Sequence, residues 1–158
     1  TGDLVQIAPG QTEAPNLSAL FTNPDIEKLF HFARFDMGLL CATLGAMPAP
    51  VYCTKIASKL ARTYTDRHGL KELARELIGE DISKQQQSSD WGAETLTDAQ
   101  MAYAASDVLF LHQIRHRLDA MLAREGRSDL ARGVFDALPT RVALDLAGWE
   151  ETDIFAHS

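Results

Sequence analysis

Residues 97–111, TDAQMAYAASDVLFL, are the stretch from which the fold and the site of this chain are inferred. Thr97 and Gln100 have the spacing of a capping box, which predicts that a long helix begins there. Tyr103 and Asp107 are four residues apart, so they would lie on one face of that helix. Small residues between them leave room for a ligand beside a phenol and a carboxylate. Taken alone, the pair is explained more simply by an amphipathic helix with a tyrosine at the core edge and a solvated aspartate.

The composition is that of an ordinary globular protein, with 158 residues, 46% hydrophobic and 23% charged. This length suits one domain, so residues 1–158 are interpreted as a single domain. The formal net charge is −7 at pH 7. Proteins that grip long nucleic acids by their phosphates usually carry a basic face, so this charge argues against broad polyanion binding. It is compatible with a short or metal-bridged anionic substrate.

Cysteine usage and hydropathy indicate the compartment. Two cysteines, Cys41 and Cys53, form no disulfide framework, which favours a reduced cytosolic setting. The sequence has no apolar run of about 18 residues and no basic segment followed by an apolar one near its start. We therefore expect a soluble, cytoplasmic protein without a membrane segment.

Strand-like and helix-like segments alternate along the first half of the chain, which predicts an α/β domain. Gly45 is a natural end for the second predicted helix. The predicted elements are strand 3–8, helix 16–21, strand 26–32, helix 33–44, strand 51–53, helix 54–64, helix 69–78, a polar loop 81–95, a long helix from residue 97, and a last helix 129–138.

A second candidate site is HFARFD, residues 31–36, which crosses from the end of a strand into the first turn of a helix. Carboxylates at this position face the crevice in which α/β sheets place their ligands. Asp36 alone is explained as readily by the helix dipole, which favours a carboxylate in a first turn.

These motifs resemble a known family. His31-x4-Asp36 followed by Tyr103-x3-Asp107 resembles the second and third motifs of the DEDDy 3′–5′ exonucleases. HFARFD, then SDW, then LTDAQMAYAASDVLFL match the ribonuclease D branch in order. Residues 53–58 and 62–70 are similar to the short, single-domain subgroup called nanoRNase C. The resemblance implies a ribonuclease H-like exonuclease fold, a mixed sheet flanked by helices.

The resemblance also implies a mechanism with two divalent metal ions, Mg²⁺ or Mn²⁺, held by clustered carboxylates. Asp107 would bind the metal that carries the nucleophilic water, and Asp36 would support the second metal. Tyr103 would orient that water rather than act as a base, since a phenol has a pKa near 10. Substrate contacts are expected from the following residues: His31, Phe32, Gln87 and Trp91. For the loop that holds Gln87 and Trp91, anchoring by a buried tryptophan is an equally good explanation.

The chain departs from the family pattern in two ways. Phe32 stands where many members have asparagine, so a polar contact is lost, although an aromatic ring could stack on a base. The family also has Asp-x-Glu on its first strand, whereas here Asp3 is followed by Leu4 and Val5. The match begins where the family's third strand would lie. We therefore expect a truncated domain without its first two strands and two of its four carboxylates, and inactive as it stands.

His112 and His116 have the two-histidine spacing of a helical zinc site, but Gln113 replaces the glutamate that would act as base. Surface or subunit-contact histidines are the simpler explanation. On a helix the two histidines would face away from Asp107.

The leading hypothesis is therefore a metal-dependent 3′–5′ exoribonuclease that acts on short single-stranded RNA, down to dinucleotides. The alternative is a non-catalytic RNA-binding or oligomerising remnant of the same fold. A zinc hydrolase that uses His112 and His116 ranks third. The subgroup resemblance implies a ring-like homo-oligomer, for which the apolar tail with Trp149, Ile154 and Phe155 offers contact surface.

Overall fold

The computed structural model describes residues 3–82 and 90–157, apart from the side chain of Asp107. These residues form six α-helices and two short strands. Short π-helical segments, Ala74–Ile78 and Asp145–Trp149, follow α4 and α6. The elements are α1 (Pro15–Thr22), β1 (Lys28–Phe30), α2 (Ala33–Leu44), β2 (Val51–Cys53), α3 (Thr54–Ala61), α4 (Leu70–Leu73), α5 (Asp98–Arg124) and α6 (Ser128–Leu144).

The chain folds into two compact units. One contains Thr1–Gln11 and Thr54–Arg127, and the other contains Thr12–Cys53 and Ser128–Ser158. We refer to them as the α5 unit and the sheet unit. None of the helices in the described residues combines the length and hydropathy that a membrane span requires.

The sheet unit is built on β1 and β2, which pair in parallel with Lys28 opposite Val51 and Phe30 opposite Cys53. All three residues of β2 are buried, as expected for a strand covered on both faces. Helix α6 packs against β2, and the rings of Tyr52 and Phe135 lie 4.6 Å apart. This core holds the start of α2 in place.

The α5 unit is a helical layer in which α5 packs against α3 and against the π-helical segment Ala74–Ile78. Leu111, Ile114 and Leu118 are buried at helical spacing along α5 and fix its rotation about its axis. The capping box is confirmed, because Thr97 Oγ1 accepts from Gln100 N and Gln100 Oε1 accepts from Thr97 N.

Several predicted elements differ from the structure in their existence or their bounds, and three of them have a clear physical reason. Residues 3–8 form no strand, since they have no hydrogen-bonded neighbour strand, and Leu4 and Val5 are exposed. Helix α1 begins at Pro15, one residue before its predicted start, because proline is well suited to the first helical position. Helix α6 continues through Pro139 to Leu144, where a break had been expected. Tertiary packing of Leu138 and Val142, both buried, outweighs the cost of an interior proline.

Helix α2 has the predicted bounds. Gly45 caps its C-terminal end with a φ of 67°, in the left-handed region that glycine adopts readily. Its buried face is Ala33 and Met37 rather than the larger apolar residues. Phe35 is 62% exposed and Leu39 is 56% exposed. Helix α2 therefore presents an apolar face to solvent.

A buried arginine joins α3 to the segment that follows it in the α5 unit. Arg62 is 1% exposed, and its guanidinium donates to Ser58 Oγ at 2.9 Å and to Arg67 O at 2.7 Å. It also forms an ion pair with Glu76, which accepts a hydrogen bond from Tyr64. The buried Nε atom has no hydrogen-bond partner among the described residues.

The imidazole of His68 completes this cluster. Ser58 Oγ lies 2.7 Å from His68 Nδ1. Because Arg62 donates to Ser58 Oγ, the serine hydroxyl keeps its own proton to donate, and the unprotonated Nδ1 of a neutral His68 can accept it. Burial and the charge of Arg62 lower the pKa of His68 below its usual value.

We expect the pH dependence of stability to reflect this neutral imidazole. A histidine whose pKa is lowered by folding binds fewer protons in the native state than in the unfolded state. Its contribution to stability is therefore fully present above the unfolded pKa of about 6.5 and is lost as the pH falls below that value. Urea unfolding of the wild type and of His68→Gln across this range measures the effect. The stability difference should shrink as the pH falls, and a constant difference would contradict the neutral-imidazole assignment.

Candidate active site

Tyr103 and Asp107 lie one turn apart on α5, as the capping box and the spacing predicted. Tyr103 is half-buried, and its ring centroid lies 5.9 Å from that of Trp91. Ser106 Oγ donates to the carbonyl of Tyr103 at 3.0 Å. The phenol therefore sits against an aromatic neighbour that restricts its movement.

The segment before α5 is held to it by side-chain hydrogen bonds. Gln100 is buried and donates from Nε2 to Asp90 O at 3.1 Å. Gln6 Nε2 donates to Ala93 O at 2.8 Å. These contacts keep the half-buried ring of Trp91 beside Tyr103, which explains how a polar loop positions a large aromatic residue.

Asp36 occupies the first turn of α2 in the sheet unit. The start of this helix is fixed on both sides: Ala33 N donates to Cys53 Sγ, and Arg34 forms a two-point ion pair with Asp145 at 2.6 and 2.7 Å. Asp36 is therefore carried by a well-anchored turn directly after β1.

The carboxylate of Asp36 is half-buried, and burial raises its pKa to about 6. No hydrogen bond or ion pair joins it to another described residue. The helix dipole, which favours a carboxylate in a first turn, is outweighed here by desolvation. A structural aspartate is normally paired, so this one is available to a cation.

Phe32 is the residue that precedes α2, and its backbone is unusual. Its φ of 65° and ψ of 57° lie in the left-handed region, which is rare for a bulky side chain. The ring is 46% exposed and lies 6.2 Å from the ring of Phe35. Strained backbone of this kind is often found at functional sites. Neither the residue type nor the spacing around Phe32 predicts this conformation.

The other predicted substrate residues fall in different places. His31 is half-buried between β1 and α2, next to Phe32. Trp91 contacts Tyr103 as described. Gln87 lies outside the described residues, so its predicted role stays a prediction. His31 and Asp36 belong to the sheet unit and Tyr103 to the α5 unit, so a site that combines them also stays a prediction.

One Asp-x-Glu pair does precede His31, namely Asp25 and Glu27, and sequence analysis overlooked it. The pair lies in the turn before β1 and not on a strand. Glu27 is held in an ion pair with Arg132 at 2.9 Å, and Asp25 N donates to Asn23 Oδ1 in the turn. This pair therefore has a structural explanation and does not replace the family's first motif.

The donor set fits a divalent metal in part. A hard cation prefers carboxylate oxygens, and Asp36 offers one without a competing partner. However, no three of the His, Cys, Asp and Glu side chains that the structure describes are close enough to hold an ion. Among the described residues, Asp36 is therefore a single candidate ligand, and a metal site that uses it stays a prediction.

Comparison with known proteins assigns the family. The 3′–5′ exonuclease family matches residues 3–123, about three quarters of the chain. The chain belongs to the 3′–5′ exonuclease family. The stretches that carried the resemblance, residues 31–36 and 96–111, lie within the matched region.

Relatives in this family include ribonuclease D and NrnC. The ribonuclease D of Acidiphilium cryptum is 43% identical over 122 residues, covering 77% of this chain and 31% of that protein. Brucella melitensis NrnC is 59% identical with a TM-score of 0.91, covering 97% of this chain and 74% of that one. The predicted recognition as a ribonuclease D-like, NrnC-like exonuclease is confirmed, as is its α/β exonuclease fold.

Two further structures of the Brucella protein bear on ligands. One contains bound Mg²⁺ and aligns with a TM-score of 0.91 at 57% identity. The other is bound to pGG and aligns with a TM-score of 0.90 at 58% identity. The chain spans about a third of the curated relatives that it matches, so the activity of a whole exonuclease is treated below as a proposal.

Proposed function

We propose that this protein is a metal-dependent 3′–5′ exoribonuclease that hydrolyses short oligonucleotides to nucleoside 5′-monophosphates. Membership of the exonuclease family carries the proposal. The short substrate is supported by the NrnC relative bound to pGG and by the net charge of −7, which disfavours a grip on long nucleic acid.

Asp36, Tyr103 and Asp107 have named roles in this proposal. Asp36 and Asp107 would bind divalent cations, Mg²⁺ or Mn²⁺, and the Mg²⁺-bound relative supports this dependence. The half-buried carboxylate of Asp36, which has no partner among the described residues, supports the same role, because a bound cation would remove its desolvation cost. Tyr103 would orient the attacking water by a hydrogen bond. The bound metal ions would activate this water and stabilise the leaving oxygen.

Substrate contacts would come from His31, Phe32, Gln87 and Trp91. Of these residues, Phe32 has the most support, because its exposed ring lies at the start of the helix that carries Asp36. Stacking of a base on such a ring is worth about 1–3 kcal/mol.

The test is release of mononucleotides from a 5′-labelled RNA of two to seven nucleotides in Mn²⁺. We expect no release by this chain, because two of the four carboxylates required are absent from it. We expect release by a longer form made by adding a strand with Asp-x-Glu ahead of Thr1. If the longer form is also inactive, the enzyme proposal fails and the alternative, a non-catalytic RNA-binding or oligomerising remnant, takes its place.

A ring-like homo-oligomer and a cytoplasmic location belong to the same proposal. The tail of the sheet unit exposes large apolar side chains, with Trp149 at 47%, Ile154 at 47% and Phe155 at 90%. Exposed aromatic residues of this kind are typical of interfaces between subunits.

A further inference from the structure

His112 and His116 lie one turn apart in the middle of α5, and the structure presents both to solvent. Leu118 and Ile114 are completely buried on the opposite side of the helix, so its rotation cannot bring the two histidines inward. Residues four apart on a helix have neighbouring side chains. The two imidazoles are therefore held on a rigid scaffold within reach of a common point.

A cavity of about 440 Å³ lies over this pair, between α5 and the end of the π-helical segment Ala74–Ile78. Its lining consists of Ile78, His112, Gln113, His116 and Arg117. No hydrogen bond or ion pair joins these polar side chains to another described residue. Asp119, one turn further along, is engaged by Arg115 at 3.3 Å.

We propose that His112 and His116 form a two-imidazole binding site for a divalent transition-metal ion, separate from the metal site of the proposed exonuclease. Imidazole nitrogen suits Zn²⁺, Ni²⁺ and Cu²⁺, whereas Mg²⁺ prefers oxygen ligands. Two protein ligands leave the remaining coordination positions to water.

Arg117 allows a test of whether the bound ligand is a cation or an anion. Its guanidinium lines the same cavity and would repel a bound cation. Replacing it with glutamine should therefore tighten metal binding by about two- to fivefold at low ionic strength, and less at high salt. An anion in this cavity would show the opposite change, since it would lose its positive partner.

The experiment is titration of the tag-free protein with Ni²⁺ by calorimetry, in the presence of millimolar Mg²⁺. We expect one equivalent of Ni²⁺ in the wild type. His112→Ala and His116→Ala should each weaken binding by about tenfold or more, because a chelate becomes a single ligand. Both variants should remain folded, since alanine is the best helix former at exposed positions. With Cu²⁺, electron paramagnetic resonance should show coupling to two nitrogens in the wild type and fewer in either variant.

Matched controls separate this site from others. His157→Ala removes an exposed histidine in the tail and should leave the affinity unchanged. Asp36→Asn should also leave it unchanged, because Asp36 belongs to the proposed exonuclease site. Equal affinity of the wild type and both α5 variants would overturn the proposal. If Arg117→Gln bound Ni²⁺ more weakly than the wild type, and the wild type bound inorganic phosphate, the cavity would be an anion site and the metal proposal would be wrong.

Nuclease assays keep this proposal distinct from the proposed function. His116→Ala should leave manganese-dependent RNA hydrolysis by the longer form unchanged. If His116→Ala abolished hydrolysis while Asp107→Asn did not, the exonuclease assignment would fail and a zinc hydrolase would explain the activity. Loss of nickel binding with hydrolysis retained supports the site proposed here.

Discussion

Asp107→Asn is expected to abolish manganese-dependent hydrolysis of short RNA in the longer form of the protein while leaving its fold intact. Asparagine has nearly the same shape as aspartate but carries no charge. In the proposed site Asp107 is an anionic metal ligand, and its loss should remove several kcal/mol of transition-state stabilisation, a rate reduction of about three orders of magnitude. Binding of the metal should weaken as well, so excess Mn²⁺ should restore only a small part of the rate.

The measurement is single-turnover cleavage of a labelled dinucleotide, with circular dichroism as the check on folding. Asp98→Asn is the matched control, because it makes the same substitution at an exposed position on the same helix. It should leave the rate unchanged. Activity retained in Asp107→Asn would remove Asp107 from the proposed site and with it the correspondence to the third family motif.

Local signals in the sequence predicted the elements that carry the site. The Thr97 capping box located the start of α5, and Gly45 located the end of α2, because both are determined by hydrogen bonds within a few residues. The end of α6 was predicted wrongly at Pro139, because that prediction used the local signal alone. The local effect of a proline is to break a helix, but the buried packing of Leu138 and Val142 depends on residues distant in sequence.

The positions of the candidate residues along their helices could be predicted, but their conformations and neighbours could not. Spacing alone placed Asp36 in the first turn of α2 and Tyr103 one turn before Asp107. The pairing of Trp91 with Tyr103 and the left-handed backbone of Phe32 depend on tertiary contacts that no periodicity encodes. The same holds for Arg62, since nothing in a charged residue near the end of a predicted helix indicates that it is buried.

Arg62→Ala is expected to lower the free energy of unfolding by about 2–4 kcal/mol. The side chain is almost completely buried, so its removal leaves a cavity, and Ser58 and the Arg67 carbonyl lose a charged donor. Glu76 adds less, because its side chain is 41% exposed and can be hydrated when its partner is gone. Relief of the unpaired Nε offsets a further part of the cost.

Arg62→Met separates packing from charge. Methionine fills most of the same space without a buried charge or an unpaired Nε, so it should cost about half as much as alanine. Arg124→Ala is the surface control, because that arginine is 70% exposed, and its change should stay within about 0.5 kcal/mol. Urea unfolding at pH 8 measures all three, with an unchanged m-value as the criterion that only the folded state is affected. If Arg62→Ala matched the surface control, the cluster of Ser58, Arg62 and His68 would contribute little to stability. The pH dependence of stability expected of His68 would remain in part, since burial of the imidazole lowers its pKa independently of the charge of Arg62.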